Sequence, residues 1–347
     1  MDVNLTRADW RGRRCLVTGA TGIVGSWLVK RLLREGASVI ALVRDWDPQS
    51  ELVRSGDIMR TSVVNGGLED FATLERAINE HEPDTVFHLG AQAIVTTALR
   101  NPLPTFEANI RGTYNLLEAC RIHQSLVQRV VVASSDKAYG NVETLPYTED
   151  MPVNGRHPYD VSKSCTDLLA MTYAHTYQLP VAVARCGNIF GGGDLNWSRI
   201  VPGTIRSLWF GERPVIRSNG LFTRDYIFVQ DVVDAYLLLA DRSAEKGVRG
   251  EAFNFSPEKR LTVLEITAAI QRQMGLAIVE PVVLDQARAE IVDQYLDSAK
   301  ARERLQWRVA HTLESGLEET IDWYDRFFEK SGASAGASPA LTGPRLS

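Results

Sequence analysis

The chain has 347 residues, 38 Lys and Arg against 43 Asp and Glu for a net charge of −5, and an isoelectric point near 5.8. No block of like charge stands out, which argues against nucleic acid or an anionic membrane surface as partner and favours a small molecule. The four cysteines, Cys15, Cys120, Cys165 and Cys186, are far apart, so neither a disulfide framework nor a metal site is signalled. No apolar run approaches the roughly 20 residues of a membrane helix, and Met1-Asp-Val-Asn-Leu-Thr-Arg7 lacks a signal peptide's apolar core, so a cytoplasmic protein is expected.

In chain order, Arg14–Thr18 reads as a short buried strand. A glycine turn follows, and Ile23–Glu35 has helical apolar spacing that stops at Gly36. Ala37–Val43 is β-rich, completing a β-turn-α-β unit. The alternation continues with Thr61–Val64 as strand, Phe71–Glu80 as helix, Thr85–Leu89 as strand, Pro104–His123 as helix and Arg129–Ser134 as strand. A long helix from Tyr159 to Tyr177 and a strand at Val181–Arg185 complete this part. Such regularity predicts an α/β fold with a Rossmann-type, doubly wound parallel sheet covered on both faces. From Gly191 the rhythm breaks into longer loops, with a strand near Pro214–Arg217, a helix at Val229–Leu239, then Glu251–Asn254, a helix at Val263–Met274, and Leu313–Phe328. The expected organisation is a dinucleotide-binding domain over 1–190 that carries the catalytic residues. A smaller C-terminal α/β substrate lobe spans 191–330, with segments crossing back to the first sheet. The stretch 331–347, small, polar and Pro/Gly-containing, reads as a disordered tail.

Gly19, Gly22 and Gly25 stand between a strand and a helix, where glycine permits a tight turn and close backbone approach to a pyrophosphate. The end of the second strand selects the cofactor, since an acid there accepts from a ribose 2′-hydroxyl and an arginine pairs with a 2′-phosphate. Val43 holds the acidic position and Arg44 follows, which tilts the expectation toward NADP; Asp45 keeps NAD open. Tyr159 and Lys163, four apart on a helix, share one face, where the ammonium can favour the phenolate. With Ser134-Ser135-Asp136-Lys137 about twenty residues earlier, this pattern signals hydride transfer with tyrosine as general base. His88, inside a strand end, reads as structural.

Thr18-Gly-Ala-Thr-Gly-Ile-Val-Gly25 resembles the extended short-chain dehydrogenase/reductase superfamily, and the likeness runs through about Phe328. It implies a tightly retained NAD(P), regenerated in each cycle. The cofactor would lie against Gly19, Thr21, Gly22, Ile23, Val24 and Gly25 of the turn, Arg44, Leu68, and Leu89-Gly90-Ala91 of Phe87-His-Leu-Gly-Ala-Gln92. Asn109, of the Asn-x-x-Gly-Thr helix, would help hold the active site beside Tyr159 and Lys163. Asn65-Gly66-Gly67-Leu68 departs from the superfamily's Gly-Asp-Leu, because Gly67 has no side chain to meet adenine.

Ser135-Asp136-Lys137 narrows the resemblance to nucleotide-sugar 4,6-dehydratases and epimerases. Asp-Lys after the serine is similar to CDP-glucose 4,6-dehydratases, and Arg44 with Val39–Val43 looks like GDP-mannose 4,6-dehydratases. By that resemblance Ser135 orients the 4-hydroxyl, Tyr159 removes its proton and Lys163 positions the cofactor ribose. Lys137 would assist removal of the C5 proton, and Asp136 would protonate the departing 6-hydroxyl. Gln92, Ser135, Asn188, Arg199, Arg217 and Arg224 would face the nucleotide-diphosphate sugar, arginine being suited to phosphate. The helices Pro104–His123 and Tyr159–Tyr177 correspond to those that pair in family dimers, so a homodimer is expected. A C4-epimerase using the same Tyr, Lys and Ser, and a non-catalytic dinucleotide-sensing module, are the alternatives.

Overall fold

A computed structural model describes residues 9–287 and 290–330. The expected tail at 331–347 lies outside them. Six strands arise in turn: β1 (Arg14–Thr18), β2 (Ser38–Val43), β3 (Ser62–Asn65), β4 (Thr85–His88), β5 (Arg129–Ala133) and β6 (Val181–Cys186). The second half of the chain adds β7 (Asn188–Phe190), β8 (Val215–Ile216), β9 (Thr223–Phe228), β10 (Ala252–Phe255), β11 (Arg260–Thr262), β12 (Val282–Val283) and β13 (Asp293–Gln294).

Seven strands form one sheet in the order β10-β6-β5-β4-β1-β2-β3, every neighbouring pair parallel. β1, β4 and β6 are buried along almost their whole length, as a sheet covered on both faces requires. One face packs on the helices Ile23–Arg34 and Val229–Arg242. The other packs on Phe71–His81, Gly112–Ile122 and Pro158–Tyr177. Strand order reverses between β1 and β4, so their carboxyl ends open a crevice where ligands bind in such sheets. The cysteines are free thiols, and Cys15, Cys120 and Cys186 are core. No described helix is long and apolar enough to cross a membrane.

Several elements differ from their sequence-based bounds. The predicted helix Pro104–His123 begins earlier, at Pro102, and is broken by a π-type turn at Glu107–Arg111. Proline is tolerated there because the first helical N–H groups lack partners anyway. A helix at Val95–Arg100 was not expected, nor one at Ile200–Trp209 within the stretch read as longer loops. Pro202 falls in that helix's first turn, where it breaks nothing. The segments beyond 190 do cross back. The helix Val229–Arg242 packs on the large sheet through Val232, Val233 and Tyr236, and β10 extends that sheet beside β6.

What remains of the second half is a small mixed sheet, β11-β9-β13 with β7 on β9, over an aromatic core of Phe190, Trp209, Phe228, Trp323, Tyr324 and Phe328. The two parts meet above the carboxyl ends of β1, β4, β5 and β6.

Candidate active site

The crevice is a cavity of about 970 Å³ lined by the glycine turn, the ends of β2 to β6, and the small lobe. This is at the upper end of ordinary ligand pockets, large enough for more than one small ligand. Its cofactor end is shaped by missing side chains. Gly19 sits at φ +67°, and a Cβ there would come within 2.8 Å of Gly90 backbone. A Cβ on Gly25 would lie 2.0 Å from the Gly19 carbonyl oxygen. The turn can therefore close only on glycine, and Gly22 is left at the N-cap of Ile23–Arg34, whose first N–H groups face the crevice. These residues fit a dinucleotide pyrophosphate.

Thr18 ties β1 to β4 beneath the turn. Its Oγ1 accepts from the Leu89 and Gly90 N–H groups at 3.1 and 3.0 Å, so its own proton goes to His88 Nδ1, 2.9 Å away. That makes His88 Nε2–H the donor to Thr113 Oγ1 at 3.0 Å, and Thr113 in turn donates to the Asn109 carbonyl at 2.5 Å. Burial pushes the His88 pKa down to about 3, which keeps the ring neutral and fits its structural reading. Asn109, in the π-type turn, accepts from the Gln92 N–H at 2.7 Å and donates to the Gln92 carbonyl at 3.1 Å and to Ser162 Oγ at 2.9 Å.

Thr21, Ile23, Val24, Arg44, Leu68, Leu89, Gly90 and Ala91 all line the cavity. Asn109 and Gln92 are not among the lining residues. The Gln92 side chain folds back, its Oε1 accepting from the Ile94 N–H at 2.6 Å. Arg44 Nε donates to Asp45 Oδ2 at 2.7 Å. Glu69, which sequence reasoning missed, also lines the cavity, and its carboxylate stands 2.3 Å from where a Cβ on Gly67 would project. Asn115 Nδ2 pins the carbonyls of Leu68 and Glu69 at 3.1 Å. An acidic group thus occupies the space that Gly67 leaves.

At the reaction end, Ser135 caps the short helix Asp136–Tyr139 and donates to Asp136 Oδ1 at 2.9 Å. Tyr159 and Lys163 rise from Pro158–Tyr177 into the same space. Burial, with Asp136 and Asp160 nearby, raises Tyr159 to about 12 despite the Arg199 charge and a Ser135 hydrogen bond that act the other way. Lys163 lines the cavity beside it. Its Nζ donates to the Ala133 carbonyl at the end of β5, at 2.8 Å, and burial lowers its pKa to about 8. Asp136 is buried, and that burial raises its carboxyl above the usual range, with Lys137 and Ser135 opposing.

The small lobe supplies the rest. Asn188 on β7, Arg199, Arg217 and Arg224 all line the cavity. Arg199 pairs with Asp194 at 3.0 Å, and Arg217 Nη2 donates to the Ser198 carbonyl at 3.0 Å. Arg224 spends three donors on the carbonyls of Thr223, Val292 and Ile291, at 2.8, 2.8 and 2.6 Å, so most of its fork holds the lobe together. Among the described residues no cluster of His, Cys, Asp or Glu could hold a metal ion.

Known proteins resemble the chain over most of its length. The chain is 32% identical over 333 residues to a CDP-glucose 4,6-dehydratase of Salmonella typhimurium, covering 91% of each. It resembles the solved UDP-glucose 4-epimerase of Thermotoga maritima with UDP-glucose, at a TM-score of 0.81 and 30% identity, over 90% of this chain and 99% of that one. A dTDP-glucose 4,6-dehydratase of Streptomyces venezuelae, solved with NAD, superposes with a TM-score of 0.81 at 26% identity, over 91% and 98% of the two chains. The family described as GDP-mannose 4,6 dehydratase matches residues 16–320, and the chain belongs to that family of dehydratase- and epimerase-type Rossmann proteins.

Proposed function

We propose that the protein is an NAD(P)-dependent nucleotide-sugar 4,6-dehydratase, a hydro-lyase converting an NDP-hexose to an NDP-4-keto-6-deoxyhexose. The observation that carries this is Asp136-Lys137 in the cavity wall beside Ser135 and Tyr159, with Asp136 buried and its carboxyl raised toward the acid form. The glycine turn would hold the pyrophosphate of a nicotinamide dinucleotide, which would supply a hydride acceptor for C4 and a hydride donor for C6. Ser135 orients the 4-hydroxyl and Tyr159 takes its proton, while Lys163 positions the ribose and Arg199 stabilises the phenolate. The 4-keto group acidifies C5–H, which Lys137 removes, Asp136 gives its proton to the departing 6-hydroxyl, and Lys137 returns the proton to C5 as hydride reaches C6. Asn188, Arg199 and Arg217 face the diphosphate. The test is the mass of the product formed from CDP-glucose, dTDP-glucose, GDP-mannose and UDP-glucose. Loss of water supports the reading, and a C4-inverted sugar of unchanged mass replaces it with the epimerase reading that the Thermotoga likeness favours.

For the cofactor, Arg44 lines the cavity at the end of β2 with its Nε paired to Asp45, and an arginine there supports NADP; the Streptomyces relative holds NAD. Arg44→Ala should weaken NADP binding at least about tenfold and NAD binding little, the loss expected for one charge-assisted contact. Calorimetry with both dinucleotides reads this, and equal affinities before and after substitution would make Arg44 a surface charge. Glu69 would accept from the adenine amino group in place of the side chain that Gly67 lacks.

A homodimer is supported by apolar side chains exposed along the two helical stretches, Leu103, Tyr114 and Ile122 on one and Leu168 and Tyr177 on the other. Light scattering would show twice the chain mass; the chain mass alone would contradict it.

A further inference from the structure

Lys137 does not stand alone in the cavity wall. Its Nζ donates to Gln294 Oε1 at 3.1 Å, and Gln294 is fully buried. The segment that delivers Gln294 is fastened from both sides. Toward the small lobe, β13 pairs with β9 so that Gln294 lies opposite Arg224, whose guanidinium holds the carbonyls of Ile291 and Val292. Toward the catalytic loop, the Tyr147 N–H donates to the Tyr295 carbonyl at 3.0 Å, and the Asp297 N–H donates to the Tyr147 carbonyl at 2.9 Å. The Leu296 N–H adds a bond to Asp225 Oδ2 at 3.2 Å.

A glutamine held this firmly has one reason to be polar on the side of Lys137 and none on the other. Gln294 Nε2 is buried without a partner among the described residues, as are Asp136 Oδ2 and Asp225 Oδ1. Unpaired buried polar atoms cost stability, so an apolar residue would serve packing better at position 294. The bond to Lys137 is what an apolar residue would lose.

We propose that Gln294 is a positioning residue for Lys137, its amide oxygen fixing the direction from which that amine meets the C5 proton. The same segment lines the cavity at Glu290 and Ile291, so occupation of the sugar site bears directly on the strut that aims Lys137. The inference rests on the dehydratase reading, since only elimination uses Lys137. C4 oxidation, which uses Ser135 and Tyr159, does not depend on it.

Gln294→Leu removes the acceptor at similar volume, and Gln294→Asn keeps the amide but withdraws it by one methylene, in case the first variant does not fold. Quenched-flow mass analysis with the probe sugars named above separates the C4-oxidised hexose from the product that has lost water. Both variants should slow water loss at least tenfold while C4 oxidation stays within threefold, so that the oxidised, unreleased hexose accumulates. If the wild type loses water and the variants slow both steps equally, or neither, Gln294 is only a structural strut and the inference is overturned. If the wild type instead returns an inverted sugar of unchanged mass, the dehydratase reading itself has failed and this role goes with it.

Discussion

Tyr159→Phe should lower turnover about 10²- to 10⁴-fold while leaving dinucleotide binding within a few-fold of the wild type. The substitution deletes one hydroxyl from a ring that is almost fully buried, so packing and the glycine cradle stay as they are. What is lost is the group that takes the 4-hydroxyl proton. That group needs help, because burial raises Tyr159 to about 12 even with Arg199 and the Ser135 hydrogen bond favouring the phenolate. Steady-state rates on the probe sugars, paired with calorimetry for the dinucleotide, read both quantities. Turnover close to wild type would remove Tyr159 from the chemistry.

Lys137→Met should separate the two halves of the reaction. Ser135, Tyr159 and Lys163 remain to carry out C4 oxidation, whereas the amine that takes the C5 proton is gone, so water loss should fall about 10²-fold or more. Methionine keeps much of the aliphatic stem and leaves Gln294 Oε1 without its donor. Rapid-mixing absorbance in the reduced-nicotinamide band should show a build-up absent from the wild type, and mass analysis should show little dehydrated product. Equal slowing of both steps would mean that Lys137 holds the site's shape and does not act on C5.

The large sheet was legible because its strands are short apolar runs separated by helices with clear stops, and the glycine turn marks where it begins. The local constellation was legible for a similar reason: Ser135 to Lys137 and Tyr159 to Lys163 are contiguous or one helical turn apart. Long-range choices were not. That Lys163 would donate to the Ala133 carbonyl depends on the end of β5, thirty positions away in the chain, and no spacing encodes it. Gln92 looked free to reach substrate until Asn109, from a π-type turn that no periodicity announces, took hold of its backbone. Glu69 and Gln294 carried no motif at all. Each is visible only through what it stands beside, an empty Cβ position at Gly67 and the ammonium of Lys137. The helix Ile200–Trp209 lies in the stretch after Gly191 where the regular alternation stops, and its Pro202 sits in a first turn whose start no spacing announces.

The central claim is that this cavity expels water from a nucleotide-bound hexose. The most direct measurement is mass spectrometry of the product after the purified protein is incubated with CDP-glucose, dTDP-glucose, GDP-mannose and UDP-glucose. The expected result is a 4-keto sugar lighter than its substrate by the mass of water, about 18 Da, the hydroxyl having left with a proton from a general acid. A product of unchanged mass with inverted configuration at C4 would contradict it.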